Sequence, residues 1–154
     1  MIETFAFTDI VGSTDTKQRL GDAAYLAILD EHHARIRQFA SDFELNTAGD
    51  SFLLHFPDPV EAISIAVKIQ KSLVEQPIDA GGKPLAIRIG MDLGNPRPMH
   101  HPSGRADFSG KTLDQAARIE GLADGGQILI SDGSICWRRP RCATSSFTIG
   151  DFGC

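Results

Sequence analysis

Phe5-Ala6-Phe7-Thr8-Asp9-Ile10-Val11-Gly12-Ser13-Thr14 is an apolar run that meets a carboxylate and then a glycine. A short, β-rich segment closed by glycine reads as a buried strand over residues 4–11. Ser13, Thr14 and Asp15 then offer N-caps. A second carboxylate stands in a comparable place. Ala48-Gly49-Asp50-Ser51 reads as a tight turn between strand-like segments at 43–47 and 51–56. Carboxylates at strand ends beside glycines make poor core residues. They make good oxygen ligands for Mg²⁺, which takes one or two carboxylates and leaves its other positions to water and substrate phosphates.

Outward from these segments the periodicity changes. Between Asp22 and Ser41, Tyr25, Leu26, Leu29, His33, Ile36, Phe39 and Ala40 recur at helical spacing. Pro57-Asp58-Pro59 stops the preceding strand. Residues 60–73 form an amphipathic helix with Ala62, Ile65, Ala66, Ile69 and Leu73 on one side and Glu61, Ser64, Lys68 and Lys71 on the other. Residues 85–91 read as a strand set off by Gly81-Gly82. Residues 95–105, rich in Pro, Gly and His, read as a loop or loose hairpin. Residues 112–122 are helical, with Leu113, Ala116, Ala117 and Ile119 apolar. Residues 127–131 are the last clear strand, and the Arg-rich tail from Trp137 reads as irregular.

The order is β-α-β-β-α-β followed by a loop, a helix and a strand. That is the split-βαβ plan. It predicts an α+β fold with a ferredoxin-like βαββαβ core and an additional helix and strands. The first two strands run parallel, and the third lies between them, antiparallel to both. The end of strand one then lies beside the start of strand three, which brings Asp9 to Asp50. No repeat, low-complexity stretch or linker interrupts residues 1–154, so they read as a single domain.

Composition narrows the function. The 154 residues are 42% hydrophobic and 23% charged, which excludes disordered and fibrous classes. A net charge of −5 argues against a general nucleic-acid binder. No apolar stretch approaches the roughly 20 residues of a membrane span, and the N-terminus has no basic n-region. Cys136, Cys142 and Cys154 lack a C-x-x-C pair, and read as reduced thiols in a cytoplasmic protein rather than a zinc site or disulfide framework.

Three segments together resemble the catalytic domain of class III nucleotidyl cyclases. Phe7-Thr8-Asp9-Ile10-Val11-Gly12-Ser13-Thr14 is similar to the family's first metal motif, and Thr47-Ala48-Gly49-Asp50-Ser51-Phe52 to its second. The segment from Asp107 through Gly110 and Asp114 to Glu120 resembles the one that reads the base and stabilises the transition state. Ile87–Met91 and 126–131 fit family strands. The resemblance covers most of the chain in the family's order.

It implies an enzyme that converts ATP or GTP to a 3′,5′-cyclic nucleotide and pyrophosphate for signalling. It implies two Mg²⁺ or Mn²⁺ ions, about 3.5–4 Å apart as in other two-metal sites. Asp9, Asp50 and the Ile10 carbonyl would be their ligands. Backbone N–H groups of Val11, Gly12, Ser13 and Thr14 would cradle phosphates at a strand–helix junction. The family works as dimers with the site at the interface, so a homodimer is implied.

Other residues carry two readings each. Asp9 and Asp50 could be plain turn aspartates. Arg88 is either an edge-strand arginine on a solvated face or, by resemblance, a phosphate contact. Arg118 lies one turn beyond Asp114, so the two could form an intrahelical ion pair. By resemblance Arg118 instead stabilises charge on the transferring phosphoryl group. Asp107 is a loop aspartate, or the acceptor for the adenine amino group, which would favour ATP over GTP. His32, His33, His55, His100 and His101 suggest solvent or packing roles, because His32 and His33 cannot share a helix face. Arg138, Arg139 and Arg141 read as a solvated tail.

The chain departs from the family pattern in three places. Asn46 stands where the adenine-selecting lysine falls, and Asp114 replaces the transition-state asparagine. The segment from Phe147 to Cys154 resembles the approach to the family's terminal segment, whose lysine and last strand would follow it. These departures keep an alternative open: a degenerate cyclase-like module that binds nucleotide or dimerises as a regulatory domain. A third reading, another phosphoryl-transfer enzyme on the same two-aspartate palm, does not need the third-helix motif.

Overall fold

Alternation along the first strand, β1 (Glu3–Ile10), gives the sheet two distinct faces. Ala6, Thr8 and Ile10 point to one face; Ala6 and Ile10 join Phe52, Leu54, Phe56, Ile87, Ile89 and Met91 in the main apolar cluster, and Thr8 is buried beside them. Glu3 and Asp9 point the other way. The computed structural model describes residues 2–100, 106–131 and 146–151. Its remaining elements are helices α1 (Ser13–Leu20), α2 (Asp22–Ala40), α3 (Pro59–Glu75) and α4 (Lys111–Leu122). The strands are β2 (Glu44–Ala48), β3 (Ser51–Phe56), β4 (Ile87–Gly94), β5 (Arg97–His100), β6 (Ala106–Ser109), β7 (Gln127–Ser131) and β8 (Ser146–Asp151).

Six strands form one sheet in the order β2-β3-β1-β4-β7-β8, and β5 and β6 form a separate hairpin. β3 is antiparallel to both β1 and β2, so β1 and β2 run parallel across it, as the split-βαβ plan requires. β4 is antiparallel to β1 and parallel to β7. α2 and α3 cover the Ala6 face. α4 packs on β4 and β1 from the opposite face.

α3 shows how directly the local chemistry acts. Asp58 caps it by accepting from the Val60 N–H at 3.0 Å, with Pro59 at the first helical position. Its buried stripe contains every apolar residue that the 3.6-residue period marks, together with Gln70. α2 is rotated relative to expectation. Its buried residues are Tyr25, Ile28, His32, Ile36 and Ala40, while Leu26 is 57% exposed. Packing against the sheet, not hydrophobicity alone, selects that stripe. α1 begins without a side-chain cap; Gly12 takes the N-cap position at φ 69°.

Two other expectations change, and one open alternative is resolved. Phe43 belongs to a 3₁₀ turn rather than to β2. Of the two readings of the 95–105 stretch, the hairpin is realised: β5 pairs with β6, while residues 101–105 lie outside the described residues. The tail expected to be irregular contains β8, antiparallel to β7. Arg138, Arg139 and Arg141 lie outside the described residues, as do His101 and all three cysteines.

One surface pair has a pH signature. Arg37 donates to both carboxylate oxygens of Glu44 at 2.8 and 2.9 Å, and Thr47 donates at 2.5 Å. The hydrogen bonds from Arg37 pull the Glu44 carboxyl down to about 2. A lowered folded-state value stabilises the fold above the ordinary carboxyl range, and that contribution disappears as pH falls toward 2. Glu44→Gln should therefore lower the melting temperature slightly at pH 7, and the gap to wild type should close in acid. Arg37 is 45% exposed, so solvent screening keeps the effect modest.

Candidate active site

Asp9 and Asp50 arrive from different parts of the chain for one reason, the antiparallel β1–β3 register. Thr8 pairs with Phe52, so Asp9 lies level with Ser51, immediately after the β2–β3 turn. The Ser51 hydroxyl donates to Asp9 Oδ1 at 2.9 Å. Across the other edge of β1, Asp9 pairs with Arg88, whose Nη2 donates to Asp9 Oδ2 at 3.0 Å. Arg88 Nε also forms an ion pair with Glu120 of α4, although its N–H is not aligned as a hydrogen bond.

Arg88 is therefore not an edge-strand arginine on a solvated face. β4 lies between β1 and β7, and the guanidinium is tied to two carboxylates. Burial pushes the Glu120 carboxyl up, and Arg88 opposes that.

Asp50 occupies the turn beside Gly49, which holds φ at 61°. Its Oδ2 is buried without a hydrogen-bond partner. Burial raises the Asp50 carboxyl, and the charge on Asp9 raises it further, while Ser13 opposes both. A buried, unpaired carboxylate oxygen beside a second carboxylate is a donor arranged for a cation. Among the described residues no group of three or more His, Cys, Asp or Glu side chains forms a metal cage. Two carboxylates with room for water and phosphate suit Mg²⁺ or Mn²⁺.

The raised carboxyl makes a stability prediction. The folded protein holds a proton that the unfolded chain releases, so stability falls as pH rises through the window above about 3.9. Asp50→Asn should raise the metal-free melting temperature at pH 7. The gain should shrink toward pH 4.

A cleft of ≈ 500 Å³ opens beside Asp50, walled by Ser13, Thr14, Lys17, Tyr25 and Gly49 among others. The first-turn amides of α1, at Ser13, Thr14 and Asp15, have no intrahelical acceptor and sit at the positive end of the helix. Val11 is a correction. Its N–H donates to Ala86 O at 2.9 Å and is not open to a phosphate. Gly12 instead sets the left-handed turn that starts the helix. Ile10 closes β1 opposite Ile87.

The remaining candidates stand elsewhere. Asn46, Asp114 and Arg118 are exposed and do not wall the cleft. Asp107 lies in β6 opposite Met99. Among the described residues no ion pair joins Asp114 to Arg118, so the intrahelical reading is not realised. A single chain thus presents the carboxylate pair at the cleft, while Asp114 and Arg118 of α4 lie outside its lining.

Several site residues were not legible in advance. Ser51 and Glu120 are ordinary in sequence. Tyr25, assigned to an apolar stripe, is near Asp50, whose charge adds to the effect of burial in raising its hydroxyl. His32 and His33 touch the site's backbone. His55 does not; its Nε2 hydrogen-bonds to Glu3 at 3.0 Å and its ring stacks on Phe5.

Residues 3–149 match the family model for the adenylate and guanylate cyclase catalytic domain. The chain belongs to this family. The cyclase domain is 32% identical over 146 residues to an adenylate cyclase of Lachancea kluyveri, covering 81% of this chain and 8% of that protein. It is 31% identical over 149 residues to an adenylate cyclase of Neurospora crassa, covering 83% and 6%. It therefore spans less than a tenth of the length of these fungal relatives. Among solved structures, an adenylate cyclase from Trypanosoma brucei in its monomeric state superposes with a TM-score of 0.78 at 22% identity, covering 90% of this chain and 77% of that one. The catalytic core of a rhodopsin-guanylyl cyclase with converted specificity, in complex with ATPαS, superposes with a TM-score of 0.75 at 24% identity, covering 90% and 82%. These likenesses establish the nucleotide cyclase fold. Among the described residues no helix is long and apolar enough to cross a membrane.

Proposed function

We propose that this domain is a metal-dependent nucleotidyl cyclase that works as a cytoplasmic homodimer and converts ATP, in preference to GTP, to the 3′,5′-cyclic nucleotide and pyrophosphate. The observation that carries the reading is the Asp9–Asp50 pair with its buried, unpaired carboxylate oxygen. Asp9 and Glu120 share the one Arg88 guanidinium, and Asp50 lies beside Asp9, so the cluster is short of positive charge. Asp9, Asp50 and the Ile10 carbonyl would hold two Mg²⁺ or Mn²⁺ ions. Bound there, the ions would favour deprotonation of the ribose 3′-hydroxyl and offset charge on the leaving pyrophosphate.

The chain's own residues do the positioning. The amides of Gly12, Ser13 and Thr14 would receive phosphate oxygens, since helix N-termini attract anions. Arg88 would contact phosphate once a cation replaces it as the partner of Asp9. The ribose 3′-oxygen attacks the α-phosphorus, and the bond to the bridging oxygen breaks as pyrophosphate leaves. Asn46, Asp107, Asp114 and Arg118 would serve the site across a homodimer interface, which fits their separation from the cleft. Asp107 would accept from the adenine amino group, and Arg118 would meet the charge on the transferring phosphoryl group.

Asn46 and Asp114 favour a second reading, a module that binds nucleotide without turning it over. Asp114 adds negative charge where substrate is already anionic. Purified protein with ATP or GTP, and with Mg²⁺ or Mn²⁺, should yield cyclic nucleotide detectable by mass. Nucleotide binding by calorimetry without any product would select the second reading.

A further inference from the structure

The β2–β3 turn that presents Asp50 is gripped from α2. His33 Nε2–H donates to Gly49 O at 2.8 Å, and His32 Nε2–H donates to Asp50 O at 3.1 Å. Both imidazoles lean on Phe52, with ring centroids 5.2 and 5.8 Å away. Phe52 is fully buried in β3, two residues beyond Asp50. Turn carbonyls ordinarily face water. Here two successive ones are taken by side chains from a helix on the Ala6 face of the sheet.

This arrangement opposes a definite force. Asp50 is partly buried beside Asp9, and one of its oxygens has no partner. The β1–β3 register brings the turn beside Asp9, and the like charge on Asp9 works against an ionised Asp50 held there. We infer that His32 and His33 are positioning residues, whose paired donation to the Gly49 and Asp50 carbonyls holds the Asp50 carboxylate at cation-binding distance from Asp9. The inference rests on the reading of Asp9 and Asp50 as metal ligands. Simple packing accounts for it less well, because packing against Phe52 does not require donors converging on adjacent carbonyls. Removing an outer partner of a metal ligand typically costs about 10–100-fold in metal affinity.

Replacing the donors separates the two explanations. Glutamine can place an N–H near the position of Nε2, whereas leucine keeps bulk and donates nothing. Mn²⁺ affinity would be followed by the paramagnetic resonance of free Mn²⁺, beside a melting curve for each variant. His32→Leu and His33→Leu should bind Mn²⁺ at least tenfold more weakly than wild type at a temperature where they remain folded. His32→Gln and His33→Gln should recover most of that loss. Unchanged Mn²⁺ affinity in the leucine variants, with only a lower melting temperature, would overturn the inference. If His32→Leu does not fold, the partly exposed His33 decides it through its own pair of variants. Failure of wild-type protein to bind Mn²⁺ would instead remove the two-carboxylate reading, and the inference with it.

Discussion

Asp9→Ala should abolish cyclic-nucleotide formation while leaving the domain folded. Asp9 touches both Ser51 and Arg88 and lies beside Asp50. Without it, a cation at Asp50 has a single carboxylate, and the remaining cluster loses half of its paired donor set. The fold has reason to survive. Arg88 keeps its ion pair with Glu120, and Asp50 is relieved of a like charge. The loss should exceed the roughly 10²–10³-fold that follows from removing one electrostatic donor in an active site. A mass assay for product, read beside circular dichroism and a melting curve, checks both halves. Retained turnover in a folded Asp9→Ala protein would refute the assignment of the metal site.

The largest stability effect belongs to Gly90. β4 carries no side chain there, and α4 lies directly over the gap. A Cβ at residue 90 would stand 2.0 Å from the Glu120 backbone nitrogen and 2.3 Å from its Cα. Backbone cannot rotate aside as a flexible side chain can, so α4 must lift from the sheet. Overpacking of this kind costs about 1–3 kcal/mol or more. Gly90→Val should therefore lower the melting temperature by roughly 5–10 °C. Activity should fall beyond what the lost stability explains, because the same helix carries Asp114, Arg118 and the Glu120 that holds Arg88. Gly121→Ala is the control. Nothing lies within 4 Å of its Cβ position, and it sits in helix. Alanine is favoured over glycine there by about 1 kcal/mol, so the melting temperature should rise slightly. Equal behaviour of the two variants would show that α4 is not seated on Gly90.

Much of this architecture was legible along the chain. The alternation in 4–11, the helical stripe of α3 and the Gly49-Asp50 turn are local, because each follows from side-chain period and backbone preference within a few residues. Their order was enough to predict which strands neighbour one another, and hence that Asp9 meets Asp50. The boundaries of β2 and β4 and the strand β8 were less visible. Pairing with a neighbour, not propensity, decides where such strands begin and end.

The site divided along the same line. The identities of the two carboxylates, the glycine that starts α1 and the residue types of the α4 motif are properties of short segments. The sequence alone was sufficient for them. The partners of those residues were decided only in three dimensions. Val11 gives its N–H to Ala86 because the strand end folds against the loop before β4. Arg88 faces Asp9 because β4 pairs with β1 in one particular register. His32 and His33, neighbours that no helical period places together, both reach the turn because α2 crosses its end. Such contacts join residues 16 to 79 positions apart. No local periodicity encodes them, and they exist only once the apolar faces of the helices have found the sheet.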